Sequence, residues 1–170
     1  ESIEEYNFLK SANFSRGSHS FARRWQTNVV PTMWPINGRL LSRFGEREDP
    51  FSGEGSLHSG VDISAPMRTP VHAAADGIVT RAEYSGGYGR MVIIDHGRGM
   101  NTWYAHLSKF EVVPGQEIRR GEILGYSGAS GKVTAPHLHF EVRLGGSPVN
   151  PYPYLTRSAM LQHVQPDLPF

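Results

Sequence analysis

Two histidines and a glutamate alternate with apolar residues in the stretch 136–142 of this chain. A period of two places His137, His139 and Glu141 on one face of a β-strand and the intervening apolar residues on the other. Two imidazoles that project side by side from a rigid strand suit a metal site or an acid/base site better than a core. Glu141 is either a partner that orients an imidazole or a solvated side chain.

A second pair of candidate residues, His58 and Asp62, lies earlier in the chain. Gly60 and the β-branched residues around it argue against a helix and favour a junction between a loop and a strand. Together with the His-x-His pair, these residues offer two or three imidazole nitrogens and one carboxylate oxygen. That donor set is typical of a tetrahedral zinc site with one position left for water. The spacing does not tell which of His137 and His139 is the ligand.

Another histidine, His106, ends a run in which alternation places Thr102, Tyr104 and His106 on the same face of a strand. From that position His106 is a candidate general acid or base in the same cleft. The alternative is a histidine at the end of a strand that caps a turn. Four further histidines have no predicted chemistry, with two interpreted as structural and two as solvated: His72, His96, His19 and His163.

The composition limits the classes of protein to which the chain can belong. Its 170 residues are enough for one domain with a full hydrophobic core. The formal net charge of +1 predicts no binding to nucleic acid, and the absence of cysteine excludes thiolate zinc sites. No apolar run approaches the ~20 residues that span a membrane. Because the chain begins at Glu1 without a methionine, we expect a processed or truncated chain, with any membrane anchor upstream.

The composition also divides the chain into three segments. Residues 1–31 are predicted to form a short helical segment that links or docks onto the main domain, or that lies in its groove. Residues 32–155 are predicted to form the domain and residues 156–170 a tail, whereas residues 46–57 are predicted to be a polar loop. Short apolar runs separated by glycine turns predict these strands: Pro70–Ala74, Gly77–Tyr84, Arg90–Asp95, Asn101–His106, Glu117–Arg119, Ile123–Ser127 and His137–Leu144.

Several separate motifs between residues 34 and 155 resemble those of the lysostaphin-like (LytM-type) zinc metalloendopeptidases. They occur in the same order and at compatible spacing, which makes the resemblance specific. The motifs are Ser42-Arg43-Phe44-Gly45-Glu46-Arg47, His58-Ser59-Gly60-Val61-Asp62, Pro70-Val71 with Ala73-Ala74-Ala75-Asp76-Gly77, Ile93-Ile94-Asp95-His96-Gly97, Tyr104-Ala105-His106-Leu107 and His137-Leu138-His139-Phe140-Glu141.

The resemblance implies a fold and a chemistry. The implied fold class is mainly β, a two-sheet antiparallel β sandwich with an open groove, preceded here by the short helical segment. In the family pattern His58, Asp62 and His139 bind zinc (Zn2+), and His106 and His137 form the catalytic pair. Water activated by the zinc ion is then the nucleophile, and the two histidines act as acid/base groups and stabilise the oxyanion.

The resemblance also implies a substrate and a location. The expected substrates are peptide cross-links or glycine bridges of bacterial peptidoglycan, and the expected location is the periplasm, the cell envelope or the outside of the cell. A non-catalytic activator of cell-wall amidases with the same fold is the alternative. Such activators have lost metal ligands, however, and all five positions are filled here. A biotinyl or lipoyl carrier is disfavoured because no lysine lies at the tip of a glycine-flanked hairpin.

The chain departs from the family pattern near the implied groove. The Ser-Thr-Gly that often precedes the Pro-His-Leu-His run is replaced by Val133-Thr134-Ala135. Arg90 replaces the asparagine that is common after Gly-Tyr-Gly, and loop 46–57 has no tyrosine to help hold the oxyanion. These changes are expected to alter the wall of the groove without removing a ligand.

Overall fold

The structure is a computed structural model that describes residues 29–48 and 55–155. This part of the chain is built mainly from strands, with one 3-10 turn at Gly86–Tyr88 and one short helix, α1, at Tyr152–Leu155. The predicted mainly β, antiparallel fold is confirmed. The predicted N-terminal helical segment and the tail 156–170 lie outside the described residues, apart from residues 29–31, which are not helical.

Twelve strands are found in the described part of the chain. In chain order they are β1 (Leu40–Ser42), β2 (Gly45–Glu48), β3 (Gly55–His58), β4 (Val61–Ser64), β5 (Pro70–His72), β6 (Gly77–Tyr84), β7 (Arg90–Gly97), β8 (Met100–Phe110), β9 (Glu117–Ile118), β10 (Ile123–Ser127), β11 (His137–Leu144) and β12 (Ser147–Val149). The predicted bounds of β6, β10 and β11 are confirmed at both ends. No helix within these residues has the length and apolar character required to cross a membrane.

Ten of the strands form one branched antiparallel sheet, in which β1, β4, β11, β8, β7, β6 and β9 lie side by side in that order. The branch is at β8, the longest strand. Residues 100–105 of β8 pair with β11, whereas residues 107–110 pair with β10, which also pairs with β5. Strand β7 occupies the opposite edge of β8. Strands β10 and β11 therefore follow one another along a single edge of β8.

Strands β2 and β3 form a separate two-stranded hairpin, with Gly45 opposite His58. The prediction of a polar loop over residues 46–57 is therefore wrong at both ends of that range. The hairpin is held by pairing of backbone groups, which side-chain polarity does not reveal, and its sequence lacks the apolar alternation by which strands are recognised. His58 ends β3, and only two residues separate it from the start of β4 in the main sheet.

The hydrophobic core lies against one face of β11. Leu138, Phe140 and Val142 are fully buried in the main cluster, as the alternation in this strand predicts. Burial of each such side chain contributes about 1.5–3 kcal/mol to folding. Tyr104 of β8 lies opposite Phe140 and packs against its ring in the same cluster, with ring centroids 5.3 Å apart. The other face of β11, which carries His139, is thereby directed away from the core.

A buried chain of hydrogen bonds joins β7 and β8 to the neighbouring loops. Nδ1 of His96 donates to the carbonyl oxygen of Asp76 at 2.6 Å, so its Nε2 accepts from the Thr102 hydroxyl at 2.8 Å. Thr102 accepts in turn from the Tyr104 hydroxyl at 2.7 Å, and Tyr104 accepts from the Ala74 backbone N–H at 3.0 Å. Burial lowers the pKa of His96 to about 4, which keeps the ring neutral. The prediction that His96 is structural is confirmed.

Because the folded protein resists protonation of His96, we expect acid to destabilise it through this residue. The unfolded chain protonates histidine near pH 6.5, whereas folded His96 does so near pH 4. The free energy of unfolding should therefore fall by up to about 3 kcal/mol as the pH drops from about 6.5 to about 4. Urea unfolding at a series of pH values measures this loss, which should be smaller in the His96→Gln variant. Equal pH slopes in the two proteins would contradict the prediction.

Candidate metal centre and catalytic cleft

The five residues predicted to carry chemistry line one open cleft of about 660 Å³. His58 is the last residue of β3 and Asp62 lies in β4, while His137 and His139 lie in β11. His106 reaches the cleft from β8. The register of β11 against β4 places His139 directly opposite Asp62, so two candidate ligands come together through strand pairing.

His58, Asp62 and His139 offer ligand atoms that lie within 4.8 Å of one another. Nδ1 of His139 is 2.8 Å from Oδ1 of Asp62, and Nε2 of His58 is 3.2 Å from Oδ2 of the same carboxylate. Ligands about 2.1 Å from an ion at tetrahedral angles lie about 3.4 Å from each other. The donors therefore have nearly the spacing that a tetrahedral ion requires, and two imidazoles with one carboxylate form a set that zinc accepts.

The outward-facing atoms of His58 and Asp62 also have partners. Nδ1 of His58 donates to the carbonyl oxygen of Arg43 at 2.8 Å, so in the neutral ring the lone pair that a metal ligand needs is on Nε2. The Ser42 hydroxyl donates to Oδ2 of Asp62 at 3.2 Å. Ser42 and Arg43 both lie in the Ser-Arg-Phe-Gly motif, just before β2. This stretch therefore forms hydrogen bonds with two of the three candidate ligands. Such partners fix the orientation of metal ligands.

Glu141 accepts a hydrogen bond from the ring nitrogen of His139 that faces away from Asp62. Its side chain is fully buried, and Oε2 accepts from His139 Nε2 at 2.8 Å, from the Ser59 hydroxyl at 2.6 Å and from the Tyr88 hydroxyl at 2.9 Å. Oε1 accepts from Nε of Arg143 at 2.7 Å. Of the two alternatives for Glu141, the solvated side chain is therefore wrong, and the partner that orients an imidazole is the one observed.

The electrostatics of the three central residues follow from this geometry. Burial alone would raise the pKa of Asp62, but hydrogen bonds from His139 and His58 outweigh it and hold the pKa well below its ordinary value. Burial would lower the pKa of His139, but its bonds to Asp62 and Glu141 raise it to about 9. Burial would also raise the pKa of Glu141, which hydrogen bonds from His139 and Ser59 lower to about 2. Two ionised carboxylates thus flank one imidazole, an arrangement that attracts a cation.

His106 reaches the cleft because the backbone of β8 departs from strand geometry at this residue. Its φ is +65°, in the left-handed region that non-glycine residues rarely adopt. It lies between Ala105, which pairs with His139, and Leu107, which pairs with β10. The predicted shared face with Thr102 and Tyr104 is therefore wrong, since those two side chains bond within the buried chain of His96, whereas His106 lines the cleft. Between Tyr104 and Leu107, β8 has one residue more than the facing part of β7, which is a β-bulge. The side chain of His106 changes face at this bulge.

His106 and His137 lie side by side, with ring centroids 4.9 Å apart. Nδ1 of His106 donates to the carbonyl oxygen of Ser130 at 2.8 Å, and Nδ1 of His137 donates to that of Ala135 at 2.9 Å. Each Nε2 is thereby left for the cleft, and that of His137 is 3.7 Å from Oδ1 of Asp62. Burial is the main cause of a lowered pKa for His106. The pair can accept and donate protons beside the candidate ligands.

The sequence of residues 56–151 matches Peptidase family M23. The chain belongs to this family. It is 45% identical over 124 residues to the protein named DD-carboxypeptidase/endopeptidase Mpg from Neisseria meningitidis serogroup B, a match that covers 73% of this chain. The chain spans only 28% of the length of that Neisseria protein.

Two solved structures show the same fold. A zinc containing peptidase from Vibrio cholerae is 33% identical with a TM-score of 0.67, over 80% of this chain and 40% of that one. The catalytic domain of the antimicrobial peptidase lysostaphin from Staphylococcus simulans is 32% identical with a TM-score of 0.65, over 71% of this chain and 93% of that one. The resemblance to the lysostaphin-like peptidases is confirmed.

Sequence reasoning missed three residues that surround the M23 site. Ser59, Tyr88 and Arg143 all donate to Glu141, and the Arg143 guanidinium also lies over the Trp103 ring at 3.9 Å. Alternation in β11 was a usable signal for Arg143, because it continues the face of Glu141. Nothing local indicates Ser59 or Tyr88, which come from distant parts of the chain.

In this M23 chain the carboxylate of Glu141 should raise the affinity for Zn2+ by orienting His139. The variant Glu141→Gln replaces one acceptor oxygen with an amide donor that faces other donors, so the affinity should fall about 10–100-fold. Competition with a chelator measures the change. The matched control is Glu83→Gln, which alters an exposed glutamate paired with Arg81 and should keep the wild-type affinity. Equal affinities in the two variants would contradict the prediction.

Proposed function

We propose that this chain is a zinc-dependent endopeptidase that hydrolyses peptide cross-links or bridges of bacterial peptidoglycan. The observation that carries the proposal is the donor set of His58, Asp62 and His139 next to the imidazole pair of His106 and His137 in one open cleft. The name of the Neisseria relative, DD-carboxypeptidase/endopeptidase Mpg, supports endopeptidase action. The membership in a peptidase family supports hydrolysis of peptide bonds.

In this proposal His58, Asp62 and His139 hold the zinc ion. When bound, zinc supplies a Lewis acid that polarises a carbonyl group and lowers the pKa of water. Arg43 and Glu141 keep the two imidazoles oriented, through the hydrogen bonds to their outward-facing nitrogens. The orientation of the ligands is therefore set by the protein before substrate arrives.

His106 and His137 handle the protons of the reaction through Nε2. Because each Nδ1–H is held by a backbone carbonyl oxygen, each Nε2 is free to accept a proton or, once protonated, to donate one. The pair takes the proton of the attacking water, donates hydrogen bonds to the oxyanion of the substrate and returns a proton to the leaving amine. The openness of the cleft suits a substrate that is part of a polymer.

The proposal also implies a location and argues against the alternative function. Peptidoglycan lies outside the cytoplasmic membrane, so the protein acts in the periplasm, in the cell envelope or outside the bacterial cell. The non-catalytic activator of amidases is not favoured, because the donor set that such a protein would have lost is complete here.

A candidate ligand and the imidazole pair should respond differently to substitution. His139→Ala should lose both bound zinc and activity, since it removes a ligand. His106→Ala and His137→Ala should keep the zinc and lose about 10²–10⁴-fold in kcat, the usual contribution of a general acid or base. Elemental analysis gives the zinc content, and mass spectrometry of digested peptidoglycan fragments gives the activity.

The control for these substitutions is His72→Ala, which alters a histidine of β5 that bonds to the carbonyl oxygen of Gly121, outside the cleft. It should keep both zinc and activity. Full activity in His106→Ala would overturn the role given to that residue. A wild-type protein that binds no zinc at neutral pH would overturn the whole proposal.

A further inference from the structure

One wall of the cleft carries a lysine that has no acidic partner within the described part of the chain. Lys132 lines the cleft together with Gly87, Tyr88 and Thr134. Apart from the histidines, it is the one basic residue among the described residues that line this cleft. Elsewhere in this part of the chain, ion pairs with a glutamate are found for Arg81, Lys109 and Arg143.

The backbone around Lys132 is fixed by close packing of two loops. The N–H of Lys132 donates to the carbonyl oxygen of Gly87 at 2.9 Å. Gly131 has a φ of +83°, and a Cβ at this position would lie 2.5 Å from Gly87 O and from Gly89 N. Only glycine allows the two backbones to approach so closely. The lysine therefore projects from a supported wall and not from a long unsupported loop.

The same loop is attached to the imidazole pair. The Ser130 carbonyl oxygen accepts the Nδ1–H of His106, and the Ser130 hydroxyl donates to the carbonyl oxygen of Leu107 at 2.6 Å. The N–H of Arg90 donates to that hydroxyl at 2.9 Å. Only one residue separates Ser130 from Lys132. The ammonium group is therefore carried by the same segment that orients His106.

No carboxylate among the described residues of the cleft is available to form an ion pair with Lys132. The carboxylate of Glu141 is buried and already accepts four hydrogen bonds, and that of Asp62 lies between two imidazoles. Neither is available to the lysine. An ammonium group on the wall of a cleft attracts an anionic group of whatever enters. For a peptide, that group is a carboxylate.

We propose that Lys132 is a specificity-determining residue, which binds a free carboxylate on a residue flanking the scissile bond. This inference rests on the proposed function and narrows its substrate class. Cross-linked stem peptides carry free carboxylates close to the linking amides, whereas a glycine bridge offers only uncharged amides there. Lys132 therefore favours stem-peptide cross-links over glycine bridges.

The test compares two cross-linked stem peptides that differ only in whether the carboxylate flanking the scissile bond is free or amidated. Lys132→Met should lower kcat/KM about tenfold on the free-carboxylate peptide, which corresponds to about 1.4 kcal/mol. It should leave kcat/KM on the amidated peptide unchanged, because that peptide has no flanking carboxylate for the ammonium group to bind. Lys132→Arg should keep most of the preference, and Lys132→Glu should reverse it.

The matched control is Lys109→Met, which removes an exposed lysine paired with Glu111 and should change neither rate. An equal loss on both peptides, or no loss on either, would overturn the role of Lys132 while the peptidase activity stands. Cleavage of a glycine-bridged peptide but of neither stem peptide by the zinc-loaded wild type would overturn this inference alone. Cleavage of none of the three would overturn the proposed function as well. Rescue of the preference by Lys132→Arg distinguishes charge recognition from a structural role of the side chain.

Discussion

The geometry of the cleft depends on one imidazole held between two carboxylates. His139 bonds through Nδ1 to Asp62 and through Nε2 to Glu141. Burying a charged carboxylate without partners costs several kcal/mol, so Glu141 is tolerated only because every donor around it is present. Ser59 and Arg143 help to meet that requirement. The same contacts that make the burial possible also leave the ring of His139 with a single orientation.

The second constraint is a strained residue at a branch in the sheet. The left-handed backbone of His106 costs of order 1–3 kcal/mol and persists only where the surrounding structure enforces it. Pairing on both sides enforces it here, because Ala105 belongs to the ladder with β11 and Leu107 to the ladder with β10. The strain places the His106 imidazole on the cleft side, while the next side chain, Leu107, packs in the hydrophobic core. Main-chain geometry, and not side-chain choice alone, therefore completes the pair with His137.

The sequence predicted the features that depend on local pattern and missed those that depend on distant contacts. The polar face of β11 was readable because alternation shows which residues of a strand share the face that packs on the core. The face of His106 was predicted wrongly, since a single positive φ reverses the alternation and leaves no signature in composition. Thr102 was grouped with His106 by alternation, although it lies inside the buried chain with His96. The donors to Glu141 from Ser59 and Tyr88 are 82 and 53 residues away in sequence, beyond the reach of periodicity.

The branching of the sheet has a consequence for how the cleft can change. Strand β10 ends where β11 begins along one edge of β8, and the segment 128–136 joins them across the mouth of the cleft. Because β8 is continuous behind both strands, it maintains their registers whatever the length or composition of the joining segment. The candidate ligands therefore lie outside the segment that forms the entrance, although the Ser130 and Ala135 carbonyl oxygens of that segment orient His106 and His137. Exchange of its middle residues, 132–134, is a route to new substrate preferences that keeps the candidate ligands and both carbonyl oxygens in place.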